Sequence, residues 1–422
     1  MSSLVILVIV LAICLALGVP VAVSIGISTL TYLLISDMNL YVLVQRMFAG
    51  LDTMTLIALP GFVLAGDLMN SGGLAKRLVK FCDMMVSRIA GGISIVTILT
   101  SMVFGAISGS NVATCAAVGG IMLPEMEKRN YDKAYAAAIA ATGGILGAII
   151  PPSLGMVVYG STTGVSITSL FKAGIPTGIM MGLLAGGLCF YFGKRYGYVG
   201  SGTKYTPKDT LKITREALLA FGAPIIILGG IFSGKFTPTE AAVISIVYAV
   251  LIGMFIYKEM SLKKLVDTII KGATTSGCIL YIISYAALFG WIIAAEQVPT
   301  SVFSAIEALT ANKYLIMLLV NLILLLAGMF MESSAIIIIT APILAPLAAL
   351  LGIDPIHFGI IVIINLNIGC LTPPFGVCMF TASMISNVPV QKIIPKLWPF
   401  IGVYIIGLLI VTFCPPLALL LV

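Results

Sequence analysis

The sequence predicts an all-α polytopic membrane protein, in which two re-entrant helical hairpins and two broken helices form an inverted repeat. Three observations predict this fold: the composition, a recurring set of proline and glycine motifs, and the distribution of basic residues. Of 422 residues, 60% are hydrophobic and 9% are charged, and the mean hydropathy is +1.17. Soluble domains carry roughly 45–50% apolar and about 25% charged residues, and a soluble fold could not hide so much apolar surface. A bilayer removes that difficulty.

Apolar runs along the whole chain approach the length of a spanning helix, which is about 20 residues. Two further apolar stretches have polar residues at one end and prolines at the other, and they predict re-entrant hairpins over about 99–126 and 328–352. Such irregular backbone is tolerated at membrane depth only where protein or a water-filled cavity covers it. The candidate spans cover about 3–17, 21–36, 54–70, 90–107, 134–150, 153–165, 174–193, 216–233, 238–257, 277–295, 314–330, 357–371, 374–386 and 398–422.

Motifs of the first half recur in the second half at a nearly constant shift of 218–222 residues, which indicates an internal repeat. We expect a first repeat over 1–200, a basic linker over 201–215 and a second repeat over 216–422. Each repeat ends with a hairpin and then a broken helix, over about 134–165 and 357–386. The matched motifs are Gly18-Val-Pro20 with Phe236-Thr-Pro238, Pro124 with Pro346, Asp132 with Asp354, and Gly147-Ala-Ile-Ile-Pro151-Pro152 with Gly369-Cys-Leu-Thr372-Pro373-Pro374.

Basic residues predict the orientation of the two repeats. All but four of the 23 lysines and arginines lie in five segments. Where a loop of one half is rich in basic residues, the equivalent loop of the other half has few or none. Segment 76–88 holds four, for example, whereas its counterpart 300–313 holds one. Under the positive-inside rule this pattern predicts inverted halves, two periplasmic termini and a cytoplasmic linker. The five segments are 76–88, 128–133, 194–215, 258–271 and 392–396, and the four isolated residues are Arg46, Lys172, Lys235 and Lys313.

Several function classes lack their signals. Basic clusters between apolar runs are not a nucleic-acid face, and a chain with one histidine, His357, and no CxxC pair offers no ordinary metal or relay site. We expect His357 at the end of a loop and an inert role for the eight cysteines. The sequence contains no Walker motif, and it therefore gives no indication of an ATP site. The first apolar run, Leu4 to Leu17, has no basic residue before it, and we interpret it as a retained helix and not as a signal peptide.

Two proline pairs, Pro151-Pro152 and Pro373-Pro374, are the strongest local signal. Each proline removes a backbone donor and clashes with the preceding turn, so each pair is expected to break its helix. The break frees carbonyl oxygens that can replace the hydration shell of a cation, and it exposes a helix N-terminus that favours an anion. Thr372 adds a hydroxyl group next to the second break. The pairs therefore predict an ion site in the middle of the membrane.

A polar hairpin tip precedes each break by about 40 residues. The tips are Ser108-Gly109-Ser110-Asn111 and Glu332-Ser333-Ser334. Serine and asparagine here could simply cap helices. A carboxylate inside an apolar segment is costly and indicates function, and Glu332 could bind a cation, accept hydrogen bonds from substrate hydroxyls or form an ion pair. Asn365 and Asn367, just before the second break, are candidates of the same kind.

At these residues the chain resembles the large membrane subunit, of the DctM or SiaM type, of tripartite ATP-independent periplasmic (TRAP) transporters. The resemblance runs from Gly18 to the last helix and implies an elevator-type secondary transporter, driven by sodium and without enzymatic activity. A mobile transport domain would hold the hairpins and broken helices. The motifs that carry it are Ser108-Gly109-Ser110, Gly143-Gly144-Ile-Leu-Gly147-Ala-Ile-Ile-Pro151-Pro152-Ser153, Phe236-Thr-Pro238-Thr-Glu240-Ala, and Asn365-Leu-Asn-Ile-Gly369-Cys-Leu-Thr372-Pro373-Pro374-Phe-Gly376.

The resemblance also implies where ions and substrate bind. A first sodium site maps to Gly105, Ser108, Gly147, Ile150 and Pro152, and a second maps to Gly328, Gly369, Thr372 and Phe375. Substrate would contact Ser108, Ser110, Asn111, Ser153, Glu332 and Ser333. The chain departs from the family pattern at the second tip, which is often Asp followed by Thr-Pro, and at Asn111 and Thr114, where Ala and Asp are common. These differences concern the identity of the substrate more than the fold.

Two partners follow from the resemblance: a separate small four-helix membrane subunit of the Q type, and a periplasmic substrate-binding protein of the P type that delivers an organic acid. Sialic acid and C4-dicarboxylates are the leading substrates, and the bacterial inner membrane is the expected location. The main alternative is a standalone ion-coupled dicarboxylate symporter or antiporter without a binding protein. A membrane-embedded enzyme and a channel are further alternatives, although one histidine does not favour the enzyme and near-symmetric halves suit alternating access better than a channel.

Overall fold

The computed structural model describes residues 3–86, 89–198, 200, 205–301, 304 and 312–422, and all regular elements in these ranges are helical. Seven helices of this part of the chain are long and apolar enough to cross a membrane. The predicted class, an all-α polytopic membrane protein, is confirmed.

The first half contains ten helices among its described residues, and a short 3-10 turn, Met54–Ile57, precedes the fourth. The sixth and seventh form the first hairpin, and the eighth and ninth form the first broken helix. The helices are α1 Ser3–Ala16, α2 Val21–Ile35, α3 Tyr41–Leu51, α4 Ala58–Ser71, α5 Leu74–Val86, α6 Gly92–Ser108, α7 Asn111–Glu127, α8 Lys133–Ile149, α9 Leu154–Thr163 and α10 Ile167–Tyr196.

The second half begins with a long pair of helices, and the second of the pair is extended by a π-helical turn, Ile252–Ile256. The second hairpin is formed by α14 and α15, and the second broken helix by α16 and α17. The helices of the described part are α11 Pro207–Phe232, α12 Pro238–Leu251, α13 Leu262–Ala295, α14 Lys313–Gly328, α15 Ser333–Leu350, α16 Pro355–Gly369, α17 Val377–Ser386, α18 Val390–Phe413 and α19 Pro415–Ala418.

Two aspartates that match in the sequence begin the two broken helices in the same way. Asp132 accepts a hydrogen bond from the backbone N–H of Tyr135 at 2.8 Å and caps α8. Asp354 accepts hydrogen bonds from the N–H groups of Ile356 and His357 at 2.8 and 3.0 Å and caps α16. An aspartate at this position satisfies donors that the first turn leaves free. The equivalent caps fix where each broken helix enters the bundle.

The two broken helices form the centre of the molecule. Every residue of α8 from Tyr135 to Ile149 is buried, and so is every residue of α16 from His357 to Gly369. Helices α6, α7 and α18 pack around α8, and α14 and α18 pack around α16. By contrast, α1, α2, α12 and α13 expose rows of large apolar side chains, as expected where a helix faces lipid or another membrane protein. The first segments of both broken helices are therefore enclosed by other helices.

Four of the five basic segments that we expected to be loops are mostly helical. Helix α5 overlaps 76–88, α11 begins inside the 201–215 linker, α13 begins inside 258–271, and α18 covers 392–396. Helix α3 lies between the predicted spans 21–36 and 54–70. The physical reason is amphipathicity, since a helical period places charges on one face and apolar side chains on the other. In α5 the residues Leu74, Leu78 and Cys82 are buried, whereas Lys76 and Lys80 are exposed. Residues 201–204 of the linker and 302–303 and 305–311 of the 300–313 loop lie outside the described residues.

Three further expectations need correction. His357 is not at the end of a loop: it is the third residue of α16, it is buried, and its Nε2 lies 2.8 Å from the Val411 carbonyl oxygen. The last span does not cover 398–422, because α18 begins at Val390 and ends at Phe413, before a proline pair. Helix α10 begins seven residues earlier than the predicted 174, since Ser166 caps it. Polar caps, which hydropathy ignores, set the boundaries of α10 and α16.

A charged cluster joins α5 to the segment that follows the π-helical turn. Arg77 donates to Glu259 at 2.8 Å, Lys76 lies 3.5 Å from the same carboxylate, and the Arg77 guanidinium lies 3.5 Å from the ring centroid of Tyr257. Burial raises the pKa of Glu259, but the hydrogen bonds and positive charges of Arg77 and Lys76 outweigh burial and leave this pKa below its ordinary value of 4.5. The ionised carboxylate therefore stabilises the fold.

Replacing this carboxylate in Glu259→Gln should lower stability by about 0.5–1 kcal/mol at pH 7, as for a partly exposed ion pair. Because the folded-state pKa is depressed, the stabilisation is complete above the unfolded-state pKa and is lost as pH falls through the folded-state value. Thermal unfolding in detergent between pH 7 and pH 3 should show the two proteins converging below about pH 4.5. A difference that grows on acidification would contradict this assignment.

Candidate functional site

Both proline pairs interrupt their helices, as predicted. Helix α8 ends at Ile149 and α9 begins at Leu154, while α16 ends at Gly369 and α17 begins at Val377. The Pro151-Pro152 and Pro373-Pro374 peptide bonds are both cis. Each interruption leaves the last carbonyl groups of one helix and the first N–H groups of the next without helical partners. The first break is enclosed by the bundle, whereas Pro374 and Phe375 of the second break are exposed.

The tip of the first hairpin is in direct contact with the first break. The Leu154 N–H donates to the Gly109 carbonyl oxygen at 3.1 Å. Gly109 has a φ of +61°, and a Cβ atom at this position would lie 2.6 Å from the Pro152 carbonyl oxygen. Only glycine fits such a close approach. Ser153 caps α9 by accepting from the Met156 N–H, and its hydroxyl donates to the Ala148 carbonyl at 2.5 Å.

Residues of the first proposed sodium site lie together in this region. A Cβ atom at Gly105 would lie 2.5 Å from the Gly147 Cα, so the backbones of α6 and α8 touch. The Ser108 hydroxyl forms a hydrogen bond with that of Thr114 at 2.7 Å. Of the remaining proposed ligands, Pro152 adjoins the hairpin tip, whereas the side chain of Ile150 packs towards α10, where it would lie 2.6 Å from a Cβ atom at Gly178. Thr114 is a neighbour to which our site prediction gave no role.

The second hairpin repeats the glycine contact. A Cβ atom at Gly369 would lie 2.5 Å from the Gly328 Cα, and this pair is equivalent to the pair in the first half. The buried Thr372 hydroxyl donates to the Ile368 carbonyl at 2.7 Å, which leaves its oxygen lone pairs free to accept or coordinate. Phe375 differs from these three, because its side chain is exposed and lies 5.8 Å from the ring of Phe330.

The proposed substrate residues differ in exposure and partners. Ser108, Asn111, Ser153 and Ser333 are buried, whereas Glu332 is exposed. The sixth residue, half-buried, is Ser110. The Glu332 carboxylate accepts hydrogen bonds from the N–H groups of the two residues that follow Ser333, at 2.9 and 3.3 Å, and from a serine hydroxyl at 3.1 Å. Glu332 therefore caps α15. Its position directly before an apolar run could have indicated this role. It forms no ion pair with a described residue.

Both hairpin tips also contact α16, the first segment of the second broken helix. The Asn111 Nδ2 donates to the Asn367 Oδ1 at 3.0 Å, and the Ser333 hydroxyl lies 3.2 Å from the Cys370 Sγ. Asn365, our other asparagine candidate, donates to α14 at 2.9 and 3.0 Å. The sequence prediction gave Cys370 no role. It also missed the contact between Asn111 and Asn367, because these two residues lie 256 positions apart and do not follow the 222-residue repeat.

Helix ends of both polarities meet at these contacts. The C-terminal ends of α6, α8, α14 and α16 bring carbonyl groups, and the N-terminal ends of α7, α9, α15 and α17 bring N–H groups. Helix α7 packs against α17, and α15 packs against α9. Carbonyl ends favour cations and N-terminal ends favour anions. One compact region thus offers both kinds of ligand without a lysine or arginine among the proposed site residues.

The hairpin tip also contacts the first group of helices. A Cβ atom at Gly66 in α4 would lie 2.9 Å from the Ser108 Cα. On the other side of the bundle, the Pro342 ring of α15 lies 3.2 Å from where a Cβ atom at Gly290 in α13 would be. A cavity of about 610 Å³ lies beside the second contact. Its lining is dominated by small side chains from these two helices, among them Ala286, Ala287, Gly290, Ala294, Ala341, Ala345 and Ala349.

Comparison with known proteins agrees with this architecture. The YdaH transporter of Alcanivorax borkumensis, whose crystal structure was described as having an unusual topology, superposes with a TM-score of 0.63 over 88% of this chain and 86% of that chain. The two sequences are 15% identical, so this likeness concerns the fold.

Several proteins are more similar to this chain in sequence than the YdaH transporter is. The isethionate TRAP transporter permease protein DctMQ of Oleidesulfovibrio alaskensis is 40% identical over 88% of this chain, which spans 58% of that relative's length. The C4-dicarboxylate TRAP transporter large permease protein DctM of Pseudomonas aeruginosa is 39% identical over 93% of this chain and 92% of its own. The sialic acid TRAP transporter large permease protein SiaM of Vibrio cholerae is 35% identical over 89% and 88%.

The family model for the tripartite ATP-independent periplasmic transporter, DctM component, matches residues 8–417. That match covers both hairpins, both breaks and nearly all flanking helices. The chain therefore belongs to the DctM-component family of tripartite ATP-independent periplasmic transporters.

Proposed function

We propose that this large TRAP permease takes up a small organic acid together with sodium ions by an elevator mechanism. The observation that carries the proposal is the meeting of helix C-termini and helix N-termini at two equivalent breaks inside the bundle. Binding of a cation and an anion at one place lets the sodium gradient drive uptake of the acid. Alternating exposure of that place to the two membrane faces would complete the cycle.

For sodium, the supporting feature is backbone crowding at the two glycine pairs. Removing water from an ion costs tens of kcal/mol in a dry medium, so a site has to supply several oxygens. The first proposed site uses carbonyl and hydroxyl oxygens around Gly105, Ser108, Gly147, Ile150 and Pro152. The second uses Gly328, Gly369, Thr372 and the backbone of Phe375. In each, absent side chains let carbonyl groups approach the ion closely.

For the substrate, the supporting features are the helix N-termini and the hydroxyl groups between the two tips. A carboxylate group would face the N–H groups that begin α7, α9 or α15. Ser110 and Ser153 would orient it, and the remaining proposed contacts, Ser108, Asn111 and Ser333, lie nearby. Glu332 would repel an anion, so we assign it to substrate hydroxyls. The named substrates of the relatives are isethionate, C4-dicarboxylates and sialic acid, which are all organic anions.

For the elevator motion, the supporting feature is the small size of the residues at which α4 and α13 contact the hairpins. Gly66 of α4 and Gly290 of α13 face the hairpins without a side chain, and the cavity near Gly290 is lined mainly by small residues. Helices α1–α5 and α11–α13 would form the static scaffold. The hairpins and broken helices would move as a unit within the inverted repeats 1–200 and 216–422, with both termini in the periplasm.

Two partners belong to the proposal: a small four-helix membrane subunit and a periplasmic binding protein, acting with this chain in the bacterial inner membrane. The relative named DctMQ extends well beyond the region that this chain matches, which leaves room for such a subunit. If two sodium ions accompany one carboxylate, one net positive charge moves inward. A potential of 100 mV would then add about 2.3 kcal/mol to the driving force.

Replacing sodium with choline should reduce uptake to background. The measurement is accumulation of labelled sialic acid or succinate in proteoliposomes that contain this chain and its small subunit, with the binding protein added outside. With sialic acid, which carries one carboxylate, an inside-negative potential should raise the rate, because two sodium ions then bring in one net positive charge. Uptake that persists in choline would overturn the sodium proposal, and uptake without the binding protein would favour the standalone symporter.

Thr372→Val should raise the half-saturating sodium concentration roughly tenfold or more, because a contact to a charged group contributes about 1.5–3 kcal/mol. Thr381→Val is the matched control. Thr381 is also buried and its hydroxyl also donates to the carbonyl four residues earlier, at 2.8 Å, but it lies inside α17 and away from the break. The control should keep the sodium dependence of the unchanged protein. Equal shifts in the two variants would show that the effect is one of packing.

A further inference from the structure

We infer that the hydrogen bond between Asn111 and Asn367 couples the two ion sites, so that sodium binding at one break favours sodium binding at the other. This inference rests on the proposed sodium coupling. Both asparagines act as positioning residues: they hold the first hairpin against the second broken helix. The contact thus joins elements from different repeats.

The orientation of both amide groups is fixed. The Asn111 Oδ1 accepts from the Val112 N–H at 2.7 Å, which turns its Nδ2 towards Asn367. The Asn367 Nδ2 donates to the Ile363 carbonyl at 2.8 Å, which turns its Oδ1 towards Asn111. Both residues are buried, with 4% and 1% of their surface exposed. Since a buried amide without a partner is unfavourable, the start of α7 and the end of α16 are held in one register.

Each amide is close to a different ion site along the chain. Asn111 follows Ser110, whose carbonyl oxygen would lie 2.9 Å from a Cβ atom at Gly147 in the first site. Asn367 precedes Gly369 of the second site by two residues and lies in the last turn of α16. A shift of the first tip on ion binding therefore acts on the helix end that supplies carbonyl groups to the second ion.

The contact has no equivalent by repeat symmetry. The position 222 residues after Asn111 is Ser333, and it lies 3.2 Å from the Cys370 Sγ of the same broken helix. Both tips thus converge on the end of α16, whereas the first break lies against its own tip through Leu154 and Gly109. The end of α16 is therefore in polar side-chain contact with both hairpin tips, and a shift of either tip acts on it.

Thermodynamic linkage gives the consequence. If the first ion raises affinity for the second, the second raises affinity for the first by the same factor. Uptake should then depend on sodium with a Hill coefficient above 1. Removing the contact should lower this coefficient towards 1, while each separate site remains.

The test is the sodium dependence of uptake for Asn367→Ala, in proteoliposomes with the small subunit and the binding protein. We expect the Hill coefficient to fall towards 1 and the half-saturating sodium concentration to rise by about fivefold or more. Asn111→Ala removes the donor from the other side and should give the same result. The double variant should be no worse than either single one, because the two residues act as a pair.

Asn321→Ala is the matched control. Asn321 is 5% exposed, and its amide joins Asn365 and Thr412, which all belong to the second half. Its loss removes a comparable buried amide, so thermal stability should fall while the Hill coefficient stays that of the unchanged protein.

The outcomes separate the two proposals. Uptake by the unchanged protein that ignores sodium overturns the proposed function and this inference with it. Sodium-dependent uptake with a Hill coefficient of 1, or a coefficient above 1 that survives in both Asn367→Ala and Asn111→Ala, overturns the coupling alone. A fall of the same size in Asn321→Ala also overturns it. If Asn367→Ala does not fold, the sodium Hill coefficient of Asn111→Ala, measured at saturating substrate, decides the question, because loss of a substrate contact changes the half-saturating substrate concentration and not this coefficient.

Discussion

Backbone-to-backbone contact at two glycine pairs is the constraint on which the rest of the structure depends. A helix that is interrupted inside a membrane bundle leaves polar groups that lipid cannot satisfy. Here Gly105 meets Gly147 and Gly328 meets Gly369, each so closely that a side chain would collide. Each hairpin can therefore cover the break beside it. Without that cover the free carbonyl groups would lack both protein partners and a defined geometry for an ion.

The same constraint explains how the proposed site for charged solutes is built with few charged side chains. Helix ends supply partial charges of both signs, and the hydroxyl of Thr372 and the amides of Asn111 and Asn367 supply directed hydrogen bonds. The charged side chains that form ion pairs, such as Arg77 and Glu259, lie in a partly exposed cluster away from the breaks. Uncharged protein groups need no counter-ion after the solute has dissociated, which suits a protein that has to release its cargo.

Much of this arrangement could be predicted from the sequence, because prolines, caps and charge counts report on the backbone directly. The positions of both breaks and the all-helical class are correct. Helix α5 was missed because its charges hid the amphipathic period, and α3 because its 11 residues are too few for a spanning helix. Glu332 received a ligand role although it also suits a helix cap. The bond between Asn111 and Asn367 could not be foreseen, since it crosses between the halves at a separation that the repeat does not predict. The ligand assignments themselves remain predictions.

The amino-acid composition of helix α8 has one more consequence. Seven of its 17 residues are alanine and three are glycine, and none of these side chains has rotamers to lose when the chain folds. Ordering this buried helix therefore costs little side-chain entropy, and ten of its 17 residues offer neighbours a surface that cannot rearrange by rotamer exchange. The interruption at Pro151 therefore follows a helix in which ten of 17 residues cannot absorb a displacement by changing rotamer.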